Sequence, residues 1–184
     1  MIKKLTKYFA FATLLKNLIG TKKAQTEGLT QIHPTKIPGR TVFVREKEYF
    51  IRESYVGNTI PIIFLHSWGS DSLGSWFKIL PFYEEKNSFV TIDMKNHGKS
   101  DSSWKRWDVD ENADVVISIL DQLDIGNDVH LIIHDWGSAM GFQFARENPD
   151  RIKSIAFMEA IVMPLTWEQW PDAAAKIFQL FRSD

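Results

Sequence analysis

The chain has 184 residues, enough for one domain with a hydrophobic core, and its 44% hydrophobic and 24% charged content is ordinary for a globular protein. A formal net charge of −1 gives no support for nucleic-acid binding. The absence of cysteine excludes a disulfide framework, a thiolate metal site and a cysteine nucleophile.

Residues 1–38 form a lysine-rich leader that ends in a proline-containing stretch. Six lysines precede the first acidic residue, Glu27, and apolar residues recur at helical spacing between Ile2 and Ile19. The segment is too short to span a bilayer, and we expect a cytoplasmic protein. Three roles for the leader stay open: a helix docked on the domain, weak contact of an amphipathic helix with a membrane surface, and export through residues 1–25.

Strand-like and helix-like segments alternate after the leader. Thr41 to Val44 and Tyr49 to Glu53 predict a hairpin, with Arg45-Glu46-Lys47 between the strands. The unbroken apolar run from Ile60 to Leu65 predicts a strand that is buried on both faces. A short helix around Trp76 follows, and the next strand is predicted from Ser88 to Met94.

Two further helices and two further strands are predicted in the second half. The first helix begins at Asp108, which with Glu111 resembles a capping box. The remaining elements are a strand from Val129 to Ile133, a helix from Ala139 to Asn148 and a strand from Ile152 to Met158. Strands that alternate with helices indicate a doubly wound, mostly parallel α/β sheet. Such sheets bind ligands beyond the C-terminal ends of their strands.

The sequence His134-Asp135-Trp136-Gly137-Ser138 joins a predicted strand to a predicted helix. A sharp strand-to-helix turn exposes one side chain above the sheet edge, and in the nucleophile elbow that residue is usually serine. Asp135 occupies the position here, and a carboxylate can attack carbon there to form an ester. The alternative is that Asp135 is a helix N-cap. Gly137 and Gly141 are expected to let the following helix pack closely on the sheet.

Three further residues are candidates for the same site. The backbone N–H of Trp136 follows the proposed nucleophile, as an oxyanion donor should, and its indole N–H suits a halide; the alternative is a packed core tryptophan. Trp68 lies in the loop where the second oxyanion N–H normally arises. Glu159, which ends the last predicted strand, is either a triad acid that orients a histidine or a solvated loop residue.

A histidine base is the missing member of the site. In enzymes built around a nucleophile elbow the base follows the nucleophile in the chain, but all five histidines precede Asp135. We expect His66 to order its loop and His134 to be structural. No metal-ligand spacing, phosphate loop or dinucleotide fingerprint is present, so we expect neither a metal nor a cofactor. The five histidines are His33, His66, His97, His130 and His134.

The chain resembles the α/β-hydrolase superfamily from about Pro61 to Arg182, and within it the haloalkane dehalogenases. The resemblance is strongest through IIHDWGSAMGFQFARENPDRIKSIAFMEAIVMPLTWEQW. It implies Asp135 as the nucleophile, Trp136 as oxyanion donor and halide ligand, and Glu159 as the acid. It also implies a small apolar, haloalkane-like substrate that reacts with water.

The loop around Trp68 departs from the family. Dehalogenases usually have His-Gly-Asn-Pro where this chain has His66-Ser67-Trp68-Gly69, and the asparagine supplies their second halide donor. Trp68 would have to replace that donor through its indole. In this loop the chain looks more like general α/β-hydrolases than like dehalogenases.

Family members extend well beyond the elbow. We therefore expect an incomplete α/β-hydrolase fold that lacks the last strands and most of the helical cap. Residues 39–160 would be the core, and residues 161–184, with a helix predicted from Trp167 to Phe181, the start of the cap. Without its base, this truncated chain is not expected to turn over substrate.

Three alternatives stay open for the function. An epoxide hydrolase would use the same aspartate but needs tyrosines in the cap, where the chain has none. A general α/β-hydrolase is the second alternative. The third is a catalytically incomplete fragment that binds a partner or has no function.

Overall fold

A computed structural model describes residues 37–102 and 108–162 of the chain. The leader prediction therefore falls almost entirely outside the described residues, and so does the helix predicted from Trp167 to Phe181. The predicted division into a leader (1–38), a core (39–160) and the start of a cap (161–184) stays a prediction. Within the described part, no helix has the length and apolarity needed to cross a membrane.

Six strands and four α-helices follow one another along the described residues. The strands are β1 (Gly39–Val44), β2 (Lys47–Ser54), β3 (Ile62–Leu65), β4 (Phe89–Ile92), β5 (Val129–His134) and β6 (Ile152–Met158). The helices are α1 (Ser72–Trp76), α2 (Leu80–Tyr83), α3 (Val109–Gln122) and α4 (Trp136–Glu147), with a 3-10 helix at Pro149–Arg151. Every element predicted in this part of the chain is present, although some ends differ.

The strands form one sheet in the order β1-β2-β4-β3-β5-β6. β4, β3, β5 and β6 pair in parallel, whereas β1 and β2 form an antiparallel hairpin beside β4. The predicted mostly parallel sheet is confirmed. One detail of the hairpin was wrong, because Lys47 is the first residue of β2 and the turn contains only Arg45 and Glu46. Both turn residues have positive φ, 49° and 64°, as a two-residue turn of twisted strands requires.

Hydrophobic clusters cover both faces of the sheet. The larger cluster packs α3 and α4 on one face, where Leu120 and Phe144 join Ile63 and Ile133. The smaller cluster packs α1 and α2 on the other face, where Trp76 contacts the strand residues. The helices that follow β3 and β5 therefore lie on opposite faces, which makes the sheet doubly wound. This arrangement makes the C-terminal ends of β3 and β5 the topological switch point of the sheet.

Helix α3 begins at the predicted cap. The Asp108 side chain accepts a hydrogen bond from the Glu111 backbone N–H at 3.0 Å, which satisfies a donor in the first turn. The Glu111 carboxylate lies 3.4 Å from the ammonium nitrogen of Lys95. Asp108 is thus a true N-cap, with which the side-chain hydrogen bonds of Asp135 can be compared.

Two glycines set the distance between α4 and the sheet. A Cβ atom at Gly137 would lie 2.4 Å from the carbonyl oxygen of Leu65 and 2.7 Å from that of His66. A Cβ atom at Gly141 would lie 2.7 Å from Cγ2 of Ile133. These separations are too short for a side chain, so α4 rests directly on the end of β3. The predicted close packing of this helix is confirmed.

Replacing Gly137 with alanine should destabilise the protein. The new methyl group meets backbone atoms that cannot turn aside, and such overpacking lowers the free energy of unfolding by about 1–3 kcal/mol. Urea denaturation would measure the change. Gly126→Ala is the matched control, because a Cβ atom there meets nothing within 4 Å. A Gly137→Ala variant as stable as the control would show that the contact is not tight.

Candidate active site

Three loops that leave the C-terminal ends of β3, β5 and β6 carry the candidate residues. Trp68 follows β3, Asp135 follows β5 and Glu159 follows β6. β5 lies between β3 and β6 in the sheet, so the Asp135 loop is flanked by the other two. The switch point between β3 and β5 is the position where open α/β sheets bind ligands.

The backbone of Asp135 has a conformation that non-glycine residues rarely adopt. Its φ is 50° and its ψ is −120°, outside the ordinary regions for residues with a Cβ atom. The surrounding structure holds this turn on both sides. The Asp135 N–H donates to the carbonyl of Met158 at 3.2 Å, and the Asp135 carbonyl accepts from the Ser138 N–H at 2.9 Å. A strained residue fixed in this way at a strand-to-helix turn has the conformation that the predicted nucleophile elbow requires, and its assignment as an elbow stays a prediction.

The carboxylate of Asp135 does not cap the helix that follows. Its side chain makes no capping hydrogen bond to α4, whereas Asp108 makes one to α3. Instead, Oδ2 of Asp135 accepts a hydrogen bond from the backbone N–H of Trp68 at 3.1 Å. The N-cap interpretation of Asp135 is therefore wrong. Its role as a nucleophile stays a prediction.

Both tryptophans adjoin Asp135, Trp68 through a hydrogen bond and Trp136 as the next residue of the chain. Trp136 is the first residue of α4, so its N–H belongs to the helix N-terminus directly after Asp135. Trp68 donates its own N–H to Asp135, and the whole residue is 43% exposed. Its loop borders a cleft of about 500 Å³ that also includes His97. The structure thus brings Trp68, Asp135 and Trp136 together as predicted, without testing their chemical roles.

His66 is buried and orders the loop after β3. Its Nε2 accepts a hydrogen bond from the Met94 backbone N–H at 3.0 Å, and its Nδ1 lies 2.8 Å from the Ser67 carbonyl oxygen, to which it donates. Both ring nitrogens are therefore used in the neutral form. Burial lowers the pKa of His66 from the ordinary value of 6.5. The prediction that His66 orders its loop is confirmed.

A buried carboxylate, Asp93, joins the loops after β3 and β4. It accepts hydrogen bonds from the backbone N–H groups of Ser72 and Lys99, each at 3.0 Å, and lies 3.8 Å from the guanidinium of Arg52. A Cβ atom at Gly98 would lie 2.1 Å from Oδ2 of Asp93, so this loop passes close to the carboxylate. The segment around Gly98 is a loop. Asp93 thereby joins this segment to the end of the loop that carries Trp68.

Glu159 is hydrogen-bonded to a histidine, but that histidine is His134. The Nε2 atom of His134 lies 2.8 Å from Oε2 of Glu159. The His134 ring packs at 6.2 Å between centroids against Trp76, on the face opposite α4. The Glu159 side chain is 82% exposed. Glu159 is therefore solvated and pairs with His134, and its role as a triad acid stays a prediction.

Sequence reasoning missed the pair formed by His134 and Glu159. Its basis is the parallel register that places His134 opposite Met158, the residue before Glu159. The two side chains are 25 positions apart, and only the adjacency of β5 and β6 brings them together. A histidine that ends one strand and a glutamate that ends the next would have been the signal.

The described part of the chain, 37–102 and 108–162, contains no group of three or more histidine, aspartate or glutamate residues that could hold a metal ion. The site there consists of carboxylates, backbone N–H donors and indoles.

Comparisons with known proteins agree with this geometry. The family model described as alpha/beta hydrolase fold matches residues 60–184. The haloalkane dehalogenase of Sphingobium indicum is 36% identical over 138 residues, 72% of this chain and 46% of that protein. The haloalkane dehalogenase of Mycolicibacterium smegmatis is 36% identical over 126 residues, 66% of this chain and 40% of that protein.

A solved structure of a haloalkane dehalogenase, DbeA from Bradyrhizobium elkani, superposes with a TM-score of 0.71 at 26% identity. The match covers 80% of this chain and 51% of that chain. The chain therefore spans about half the length of the relatives that it matches.

The Asp135→Gly variant should be more stable to unfolding than the Asp135→Ala variant. Both substitutions remove the carboxylate, but only glycine adopts the positive φ of 50° without strain. We expect Asp135→Gly to exceed Asp135→Ala by about 1–2 kcal/mol in the free energy of unfolding, measured with urea. At Ser118, inside α3, the order should reverse, because glycine weakens a helix. The same order at both positions would argue against strain at Asp135.

Acid should destabilise the folded chain through His66. Above pH 6.5 the ring is neutral in both states. As the pH falls below this ordinary value, unfolded His66 binds a proton that the folded residue resists, and the free energy of unfolding falls by up to about 1.4 kcal/mol per pH unit. His66→Gln, whose amide oxygen can accept from Met94, should lose less stability between about pH 7.5 and about pH 5.5. Equal losses in the two proteins would contradict the assignment.

Proposed function

Because this chain belongs to the α/β hydrolase fold family, we propose that it forms an alkyl ester on Asp135 from a small apolar haloalkane. The hydrogen bond of 3.1 Å between the Trp68 N–H and Oδ2 of Asp135 carries the proposal. It holds a carboxylate at a strained elbow, away from the capping position. The similarity to haloalkane dehalogenases supports a carbon–halogen bond as the target.

In the first step, Asp135 displaces the halide. Trp68 holds Oδ2, so the other oxygen, Oδ1, attacks the carbon in line with the carbon–halogen bond. A carbon–oxygen bond forms and the halide leaves with the bonding electron pair. The indole N–H of Trp136 donates to the departing halide, and the indole of Trp68 takes the place of the asparagine expected in the family.

In the second step, water attacks the carbonyl carbon of the ester. Negative charge then develops on Oδ2, where the backbone N–H groups of Trp68 and Trp136 would stabilise it. A histidine oriented by Glu159 would take the proton from water. All five histidines precede Asp135 in the chain, and His134 packs its ring against Trp76. We therefore propose that the 184-residue chain by itself forms the ester and does not hydrolyse it.

An epoxide hydrolase would use the same aspartate together with tyrosine donors. Three of the four tyrosines lie in the described residues, away from Asp135. Tyr49 is buried in the core, Tyr55 donates to Glu53, and Tyr83 packs on Phe64. Their positions give this alternative no support. The other alternative is a domain that binds a partner without catalysis, and the experiment that follows distinguishes it from the proposal.

Incubation of the chain with 1-bromohexane should add one hexyl group to Asp135. Intact mass spectrometry would detect the gain, and peptide mapping would locate it. Asp135→Asn should form no adduct, because an amide is a poor nucleophile. Asp108→Asn is the matched control; Asn caps helices as well as Asp, so the fold and the adduct should both persist. An adduct on another residue, or none with the wild type, would overturn the proposal.

A further inference from the structure

Ser138 makes two hydrogen bonds to the backbone of Asp135. It lies in the first turn of α4 and is completely buried. Its N–H donates to the Asp135 carbonyl oxygen at 2.9 Å, and its hydroxyl donates to the same oxygen. A single acceptor with two donors is well fixed in direction. The carbonyl of the strained residue therefore cannot rotate without loss of both bonds.

The same hydroxyl also holds the segment after β6. The backbone N–H of Ile161 donates to Oγ of Ser138 at 2.7 Å. Ile161 lies two residues after Glu159, so the hydrogen bonds run from the Ile161 N–H to the Ser138 hydroxyl and on to the Asp135 carbonyl. One buried side chain thus connects the loop of the proposed nucleophile with the loop of the proposed acid.

The hydrogen bonds of Ser138 help to keep the backbone of Asp135 in its strained conformation. A residue in a sparsely populated backbone conformation is disfavoured by about 1–3 kcal/mol and persists only where its surroundings over-determine it. The Met158 carbonyl holds the N–H side of Asp135, and Ser138 holds the carbonyl side. Without the hydroxyl, the elbow can relax toward ordinary φ and ψ values, and the carboxylate then turns away from the Trp68 N–H.

We propose that Ser138 is a positioning residue for ester formation on Asp135, because its hydroxyl fixes both the angle of the elbow and the spacing from the Glu159 loop. The inference rests on the proposed function of Asp135. Ser138 is buried beneath the turn and does not act on the substrate itself. Its effect is therefore on the rate at which a bound haloalkane reacts, and not on how much haloalkane binds.

The test compares Ser138→Ala with Ser118→Ala. Ser118 is a matched control, since its hydroxyl donates to the carbonyl of Asp114 at 2.8 Å within α3, away from the site. Ester formation is followed by intact mass at several concentrations of 1-bromohexane. In Ser138→Ala the maximal rate constant should fall by about tenfold or more, as small misplacements of reacting groups cause. The half-saturating concentration should stay within about twofold, and Ser118→Ala should behave like the wild type.

Hydrogen exchange provides a readout that does not depend on activity. The Ile161 amide should exchange about tenfold faster in Ser138→Ala than in the wild type, because its acceptor is gone, and should be unchanged in Ser118→Ala. Ser138→Cys retains a weak donor and acceptor in a slightly larger side chain, so its rate of ester formation should be intermediate even if the alanine variant folds poorly.

The outcomes separate this inference from the proposed function. Wild-type chain that forms no ester overturns the role of Asp135 and the inference that rests on it. Wild-type chain that forms the ester while Ser138→Ala and Ser138→Cys do so equally fast overturns the role of Ser138 alone. An Ile161 amide that exchanges equally fast in Ser138→Ala and wild type shows that the connection is not made.

Discussion

The hydrogen bond from the Trp68 backbone to the Asp135 carboxylate is the contact on which the site depends. At 3.1 Å it joins the loop after β3 to the turn after β5, and it forms only if these strands are neighbours. It also needs α4 to rest on the end of β3, which Gly137 permits because any side chain there would meet the Leu65 carbonyl. The position of the Asp135 carboxylate therefore depends on both the strand order and the packing of α4.

Strain at Asp135 is the cost of this arrangement, and hydrogen bonds on both sides offset it. The turn holds φ at 50°, and the neighbouring strand β6 and the first turn of α4 supply the partners. Asp108 shows the contrast, since an aspartate with ordinary extended backbone at the start of α3 uses its carboxylate as a cap. The same residue type therefore caps one helix, whereas at the start of the other its carboxylate accepts a hydrogen bond from the Trp68 N–H. Backbone conformation decides between the two.

Local features of the fold could be predicted from the sequence because their causes are local. The cap at Asp108, the order of strands and helices, and the close packing at Gly137 follow from residue type and spacing. The start of α4 at Trp136 was predicted at Ala139, because the apolar spacing becomes helical only after the turn. The pair of His134 and Glu159 could not be predicted, because it depends on which strands are adjacent, and adjacency is a property of the whole sheet.

Family membership explains the scaffold, while the proposed chemistry rests on the residue at the turn after β5. The ester that we propose on Asp135 would have to be opened by water, and this second step needs a base. Glu159 has two carboxylate oxygens, and His134 contacts only Oε2 at 2.8 Å. The Glu159 side chain is 82% exposed, and in the proposed second step its other oxygen is the one that would orient the base. In the proposed function, the described loops supply the groups for the attack on carbon, whereas hydrolysis of the ester needs a base in addition.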